Sequence, residues 1–181
     1  PAPAVAAPAP APAVAAPLPV IPVTKTGVPE ADLVILERMD LAAVSGLEQS
    51  KVLEIVASAS PEDIARIGGL RSVGLLKSLP KEQIAGLDGQ RVRRFVEIMS
   101  ADEITGIDQS KLNEVSKLLG EADMKLLGND RIKSIVGVLS NDSNSLDRQA
   151  LLKALKTLDS NSYKTLEEDI MVSLFQVLEG D

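Results

Sequence analysis

The sequence predicts an all-α fold: a short α-solenoid of five 20-residue helix-turn-helix repeats with helical caps, preceded by an extended Pro/Ala-rich arm. Three observations predict it. Apolar residues return every 20 positions from residue 40 to residue 139. Glycine, aspartate or asparagine recurs at the same two positions of most units, and proline is concentrated near the start of the chain. The predicted core is aliphatic, because the chain has only three aromatic residues, none of them tryptophan.

Residues 1–30 form the predicted Pro/Ala-rich tether. They hold nine of the eleven prolines, interleaved with alanine and valine and nearly free of charge. Because proline lacks a backbone N–H and favours polyproline II, the segment is expected to act as a semi-rigid spacer of about 3.1 Å per residue. A plain linker is the simpler interpretation. A docking peptide for a proline-recognising groove is the alternative.

Residues 31–140 form the predicted repeat array, which includes an N-terminal cap at residues 31–39. Counting Asp40 as place 1 of a 20-residue unit, five places stay in phase through five units without an insertion or deletion. Place 5 is Val44, Ile64, Ile84, Ile104 and Met124, and place 8 is Leu47, Ile67, Leu87, Ile107 and Leu127. Place 16 is Ile55, Leu75, Phe95, Val115 and Ile135, and place 20 is Ala59, Leu79, Met99, Leu119 and Leu139.

Each unit is predicted to contain two short helices. Ser60 with Asp63, and Ser100 with Glu103, have the spacing of capping boxes at the start of the first helix. The turn residues at places 9 and 10 end that helix, and a second helix of about ten residues follows with one apolar face. Isolated helices this short are marginal in water. We therefore expect successive units to stack and to bury one another's apolar faces.

The 20-residue phase ends after Ser140, and residues 141–181 are predicted to be C-terminal capping helices. A polar loop at 141–145 is expected to precede helices at about 146–158 and 163–178. Such atypical terminal elements are usual in solenoids, because one face of the array must meet water.

Place 12 is basic in all five units and is the candidate functional feature of the sequence. These cations form a predicted partner-contact ladder, which could meet an acidic partner: Lys51, Arg71, Arg91, Lys111 and Arg131. In the alternative interpretation they pair within the array with acidic residues of a neighbouring unit, such as Glu62, Glu82, Glu103 or Asp123.

Composition argues against catalysis, and no catalytic, cofactor-binding or metal-binding residues are predicted. The chain has neither cysteine nor histidine, which removes the usual nucleophile pairs, the commonest general base and most transition-metal ligands. The carboxylates at 167–169 are interpreted as solvated helix surface. The net charge of −7 has no basic stripe to attract nucleic acid. No stretch approaches the roughly 18 apolar residues of a membrane span.

Two segments carry a resemblance to known helical repeats. Residues 80–87, PKEQIAGL, and 100–107, SADEITGI, resemble short tandem repeats of large bacterial surface and adhesin-like proteins. They are also similar, more distantly, to the N-terminal helical superhelix of magnesium transporters of the MgtE family. The resemblance covers residues 40–139 and implies a spacer, scaffold or protein-contact role, with no functional residue to carry over.

These features predict a non-catalytic structural or protein-interaction module that needs no cofactor. The first hypothesis is a repeat scaffold in an envelope or extracellular assembly, where it contacts a protein partner or assembles with itself as a homo-oligomer. The second is an intracellular adaptor or regulatory domain of a larger protein, whose tether sets its reach. A secretory leader in the precursor would favour the first, and a transporter or catalytic domain beyond the tether the second.

Overall fold

The computed structural model describes residues 27–141, 147–166, 170–172 and 175, and its regular elements are all helices within these ranges. The predicted all-α class is confirmed. The helices follow in chain order: α1 Glu30–Arg38, α2 Leu41–Ser45, α3 Gln49–Ser58, α4 Pro61–Ile67, α5 Gly69–Ser78, α6 Lys81–Ala85, α7 Gly89–Glu97, α8 Ala101–Ile104, α9 Gln109–Leu118, α10 Glu121–Leu127, α11 Asn129–Ser140, α12 Arg148–Thr157 and α13 Ser160–Lys164.

The helix boundaries recur with the period of the sequence. The helices α2, α4, α6, α8 and α10 begin 20 residues apart, and so do α3, α5, α7, α9 and α11. At Ser60 and Ser100 both hydrogen bonds of a capping box are present, as predicted. Each hydroxyl accepts from an amide three residues ahead, and the acid there accepts from the serine amide. Because these bonds satisfy otherwise unpaired amides, they fix where the helix begins.

Glycine makes the turn between the two helices of a pair where the sequence carries it at place 9. Gly68 and Gly128 have φ values of 78° and 83°, a region that L-residues with a side chain rarely adopt. Each glycine ends one helix and precedes the first residue of the next. The turn is therefore specified by residue type at these two units.

Packing joins units that follow one another and also units two apart. The first helix of one pair packs on the second helix of the next pair, as α2 does on α5 and α6 on α9. Contacts also skip a pair, as between α7 and α10. At place 16 the exposed fraction is 2% for Ile55 and 0% for Phe95 and Ile135. The repeated apolar places thus contribute to one core cluster, largely aliphatic with Phe95 as a member, which extends from Val28 to Leu166.

The two ends of the array are helical where the structure describes them. Helix α1 lies in the segment predicted to be the N-terminal cap, with Leu33 and Leu36 buried. At the other end, α12 falls within the helix predicted at about 146–158. The helix predicted at about 163–178 is interrupted, because α13 ends at Lys164 and Thr165 and Leu166 are not helical; its residues 173–174 and 176–178 lie outside the described ranges. Residues 1–26 of the tether, most of the 141–145 loop, and 167–169 lie outside the described residues.

Two residues of the predicted tether, Gly27 and Val28, contact the helices. Gly27 N donates to Ser58 O at 2.8 Å, and Val28 N donates to the Asp63 carboxylate at 2.9 Å. Val28 is buried. The longest helix of the described ranges has 12 residues, and none there combines the length and apolarity needed to cross a bilayer.

Candidate functional site

Two arginines of the place-12 column make the same contacts 60 residues apart. Arg71 Nε donates to Met39 O at 2.9 Å, and Arg131 Nε donates to Met99 O at 2.6 Å. In each case Nη1 donates to the carbonyl four residues earlier, at 3.3 Å and 3.0 Å. Each guanidinium therefore links the end of the first helix of its own unit to the end of a helix two units earlier.

Arg91 and Lys111 reach the same kind of acceptor. Arg91 donates to Ala57 O, in the last turn of α3, and Lys111 donates to Lys77 O, in the last turn of α5. The last carbonyls of a helix have no partner within the helix and carry the negative end of its dipole. A cation is thus well matched to these acceptors.

Lys51, the first member of the column, binds carboxylates instead. Its Nζ lies 2.7 Å from Asp32 Oδ2 on α1 and 3.3 Å from Glu54 Oε2 on its own helix. The hydrogen bond to Asp32 is the main reason that the pKa of Lys51 is raised above its ordinary value. In the described residues, no helix lies two units before Lys51.

The column is therefore engaged within the protein. All five side chains are half-buried. The four interior members bind backbone carbonyls, and Lys111 also lies 3.6 Å from Asp108 of its own unit rather than from one of the neighbouring-unit acids of the alternative interpretation. Two of those acids have other contacts: Glu103 accepts from Ser100 N, and Asp123 lies 3.4 Å from Arg93. To act as the predicted partner-contact ladder, these side chains would have to break their present hydrogen bonds and form new ones with a partner.

Lys153 on α12 makes a carbonyl contact of the same type, and sequence reasoning missed it. Its Nζ donates to Ser116 O at 2.9 Å and to Leu119 O at 2.8 Å, at the end of α9. The apolar residues of α12 follow those of α11 at a spacing of 19 residues, which is a signal for the helix, but this spacing places Ala150 and not Lys153 at the position of the basic column. The four residues with this spacing are Leu151, Ala154, Leu155 and Leu158. A strict 20-residue period hides this unit.

Arg66 forms a second kind of long-range contact that the period did not predict. Its Nη1 and Nη2 lie 2.8 and 2.9 Å from the two oxygens of Glu30, and its Nε lies 2.7 Å from Glu37. The hydrogen bonds from Arg66 lower the pKa of Glu30. Because place 7 holds glycine in three other units and leucine in one, no column marks this arginine. The contact ties α4 to α1.

Arg93 on α7, in the middle of the chain, also joins two helices through acidic side chains. Its side chain is 9% exposed and lies 3.0 Å from Glu97 and 3.4 Å from Asp123 on α10. A buried guanidinium needs such partners, because desolvation of an unpaired charge is costly. We interpret the contact as structural, since Nη1 and Nε of Arg93 face acids of the same chain.

A polar cleft of about 520 Å³ lies beside α8, α11 and α13. Its lining includes Asp102, Lys133, Ser134, Asn141 and Thr165. Lys133 Nζ donates to Thr165 Oγ1 at 2.6 Å, which joins two walls of the cleft. Across the described part of the chain, no group of three or more acidic, histidine or cysteine side chains could hold a metal ion.

A smaller groove of about 230 Å³ lies where α3, α4 and α7 approach one another. Ala59, Pro61 and Ile64 give it an apolar floor, and Arg91 and Arg94 form its far wall. Arg94 is half-exposed, with 47% of its side chain accessible, and lies 3.7 Å from Glu97. The groove can accept aliphatic side chains and can offer guanidinium N–H donors to carbonyl oxygens.

Neither family models nor curated proteins nor solved structures gave a match to this chain.

Proposed function

We propose that the chain is a non-catalytic α-solenoid, with five 20-residue units between helical caps, that serves as a protein-contact scaffold in an envelope or extracellular assembly. One observation carries the proposal: in four successive units the cation at place 12 binds a carbonyl at a helix end two units earlier, 32 to 34 residues back in the chain. A contact that repeats with the sequence period is typical of a solenoid, whose units contact only near neighbours.

The place-12 cations bind within the protein, so a partner would have to contact other surface positions. Leu70 and Leu126 stay 49% and 65% exposed, at places 11 and 7. The other units have polar or charged residues at place 11 and glycine or arginine at place 7. Because the fold does not need leucine at these places, we propose both leucines as contact points for a partner protein or a second copy.

Removing one whole unit tests the scaffold. Deleting residues 80–99 joins two units in register, so in a solenoid the shortened chain keeps its helical circular dichroism and unfolds cooperatively at a lower urea concentration. Deleting residues 80–89 is the matched control, since it removes half a unit and breaks the register. If both deletions unfold the chain to the same degree, the solenoid is wrong.

Light scattering tests whether the contact surface serves self-assembly. The molar mass of the full chain is compared with that of residues 27–181, a fragment that lacks most of the tether. This fragment keeps the contacts of Gly27 and Val28, which a cut at residue 30 would remove. A concentration-dependent mass that Leu70→Asp or Leu126→Asp abolishes, with unchanged circular dichroism, supports contact between copies. A monomeric mass at all concentrations rejects self-assembly and leaves contact with a different protein, which the scaffold and the adaptor hypotheses share.

A further inference from the structure

The Pro/Ala-rich arm enters the folded body beside the groove between α3, α4 and α7. Gly27 N donates to Ser58 O, and Asp63 accepts from both Val28 N and Ser60 N at 2.9 Å. Gly27 has a φ of 107°, so the entry is a fixed bend that favours glycine. Ser58 and Ser60, which mark this entry, also line the groove. The chain before residue 27 therefore starts at the groove's edge.

The sequence that precedes this point matches the groove in chemistry. Residues 18–23 read Leu-Pro-Val-Ile-Pro-Val and carry no charge. Two prolines favour polyproline II, a conformation whose backbone carbonyls make no internal hydrogen bonds. The groove pairs an apolar floor with the exposed guanidinium of Arg94. Aliphatic side chains and free carbonyls are what these two surfaces would accept.

We propose that residues 18–23 dock in this groove of the same chain, and that the base of the arm is thus an intramolecular ligand of the repeat array. Val20 and Ile21 contact Ala59, Pro61 and Ile64, and Arg94 donates to a carbonyl of the segment. Ile21 lies six residues before Gly27, a span of at most about 20 Å. A short tether holds the segment at an effective concentration of the order of millimolar, so weak contacts suffice.

Docking changes what the arm does. Only residues 1–17 then remain as a spacer, with a reach of about 50 Å in polyproline II. The spacer also leaves the array from the groove rather than from residue 27. This inference goes beyond the proposed scaffold role and does not depend on the identity of a partner.

Disulfide trapping in the full chain tests the docking, because the natural sequence has no cysteine. The trapped pair is Val23→Cys with Gln90→Cys on the far wall of the groove. The control pair is Val23→Cys with Asp130→Cys, which occupies the same place of a unit two repeats away. A disulfide needs its Cα atoms within about 7 Å. We expect the groove pair to form an intramolecular crosslink at least ~10-fold faster than the control pair.

A second change separates docking from mere proximity along the chain. Adding Ile21→Asp to the groove pair should slow crosslinking at least ~5-fold, because a carboxylate is costly to bury on the apolar floor. Adding Val5→Asp, outside the docked segment, should leave the rate unchanged. The proposal is overturned if Ile21→Asp has no effect, if the two cysteine pairs react equally fast, or if the product on a non-reducing gel is a dimer.

Discussion

The interior helix pairs, residues 60–139, differ from the N-terminal edge formed by α1 and α3, although both follow the same period. At place 16, Ile135 is fully buried, whereas Ile35, at the equivalent position of α1, is 56% exposed. At place 12, Arg71 and Arg131 bind helix-end carbonyls, whereas Lys51 binds carboxylates. The same residue class at the same place therefore has two environments.

This difference shows that the environment of a side chain depends on the units that precede it, and not only on its place in its own unit. An interior side chain at place 16 is covered by neighbouring units, and an interior cation finds a helix end two units earlier. At the edge, Ile35 on α1 lacks this cover although Ile55 on α3 is buried, and no described helix lies two units before Lys51. Ile35 is exposed to water, and Lys51 binds the nearby carboxylate of Asp32. Stability effects should accordingly depend on position in the array more than on residue type.

The largest expected contrast is between two identical substitutions at place 16. Ile135→Ala removes buried methyl groups and should lower the free energy of unfolding by about 2–5 kcal/mol. Ile35→Ala removes mostly exposed surface and should change it by no more than about 0.5 kcal/mol. Urea unfolding followed by circular dichroism measures both. Equal losses would mean that the edge is covered in solution and that the comparison fails.

A smaller contrast is expected at place 12. Arg71→Met leaves the carbonyls of Glu37 and Met39 without their guanidinium donor and should cost about 1.5–3 kcal/mol, as for hydrogen bonds to charged groups. Lys51→Met removes a half-exposed ion pair, which is worth at most about 1 kcal/mol. The same unfolding measurement compares them. A larger loss for Lys51→Met would show that the carbonyl contacts add little.

Much of the helical organisation could be predicted, because its causes are local in sequence. The serine caps at 60 and 100, the turn glycines Gly68 and Gly128, and the apolar spacing all act within one unit. Helix positions follow from such signals. The contacts of Gly27 and Val28 with the helices could not be predicted, since their partners Ser58 and Asp63 are distant in the chain.

The contacts of the candidate site were less predictable for the same physical reason. The period showed that place 12 is basic, but the acceptors lie about 32 to 34 residues earlier and are backbone atoms, which leave no mark on a sequence. Arg66 and Arg93 each contact acids on other helices without any recurring column. Residue type reveals a donor, but only the packing of units reveals its acceptor.

Lys153 tests whether α12 continues the interior contacts despite its 19-residue spacing. Lys153→Met removes an ammonium that donates to carbonyls at the end of α9, and we expect a loss of about 1.5 kcal/mol. Lys156→Met on the same helix is the matched control, because Lys156 is exposed. It should change the free energy of unfolding by less than about 0.5 kcal/mol. Equal effects would place α12 with the edge rather than with the interior.

The smallest effect concerns Asp63, the residue that joins the chain entry to the first interior pair. Burial raises its pKa, but hydrogen bonds from Ser60 and Val28 outweigh burial and hold the pKa below its ordinary value. A lowered pKa contributes stability that is present above the unfolded-state value of about 3.9 and is lost as pH falls through the folded-state value. The chain should therefore lose stability in acid partly through this residue.

Asp63→Asn removes that titration, so its free energy of unfolding should fall less steeply below about pH 4 than that of the parent chain. At neutral pH the variant should be less stable by about 1 kcal/mol, because a helix cap is weakened. Urea unfolding between pH 2.5 and 7 measures both effects, with the exposed neighbour changed in Glu62→Gln as the control. If the free energies of unfolding of the parent and Asp63→Asn change with pH in parallel, the contact of Asp63 with Val28 and Ser60 does not depend on the charge of this carboxylate.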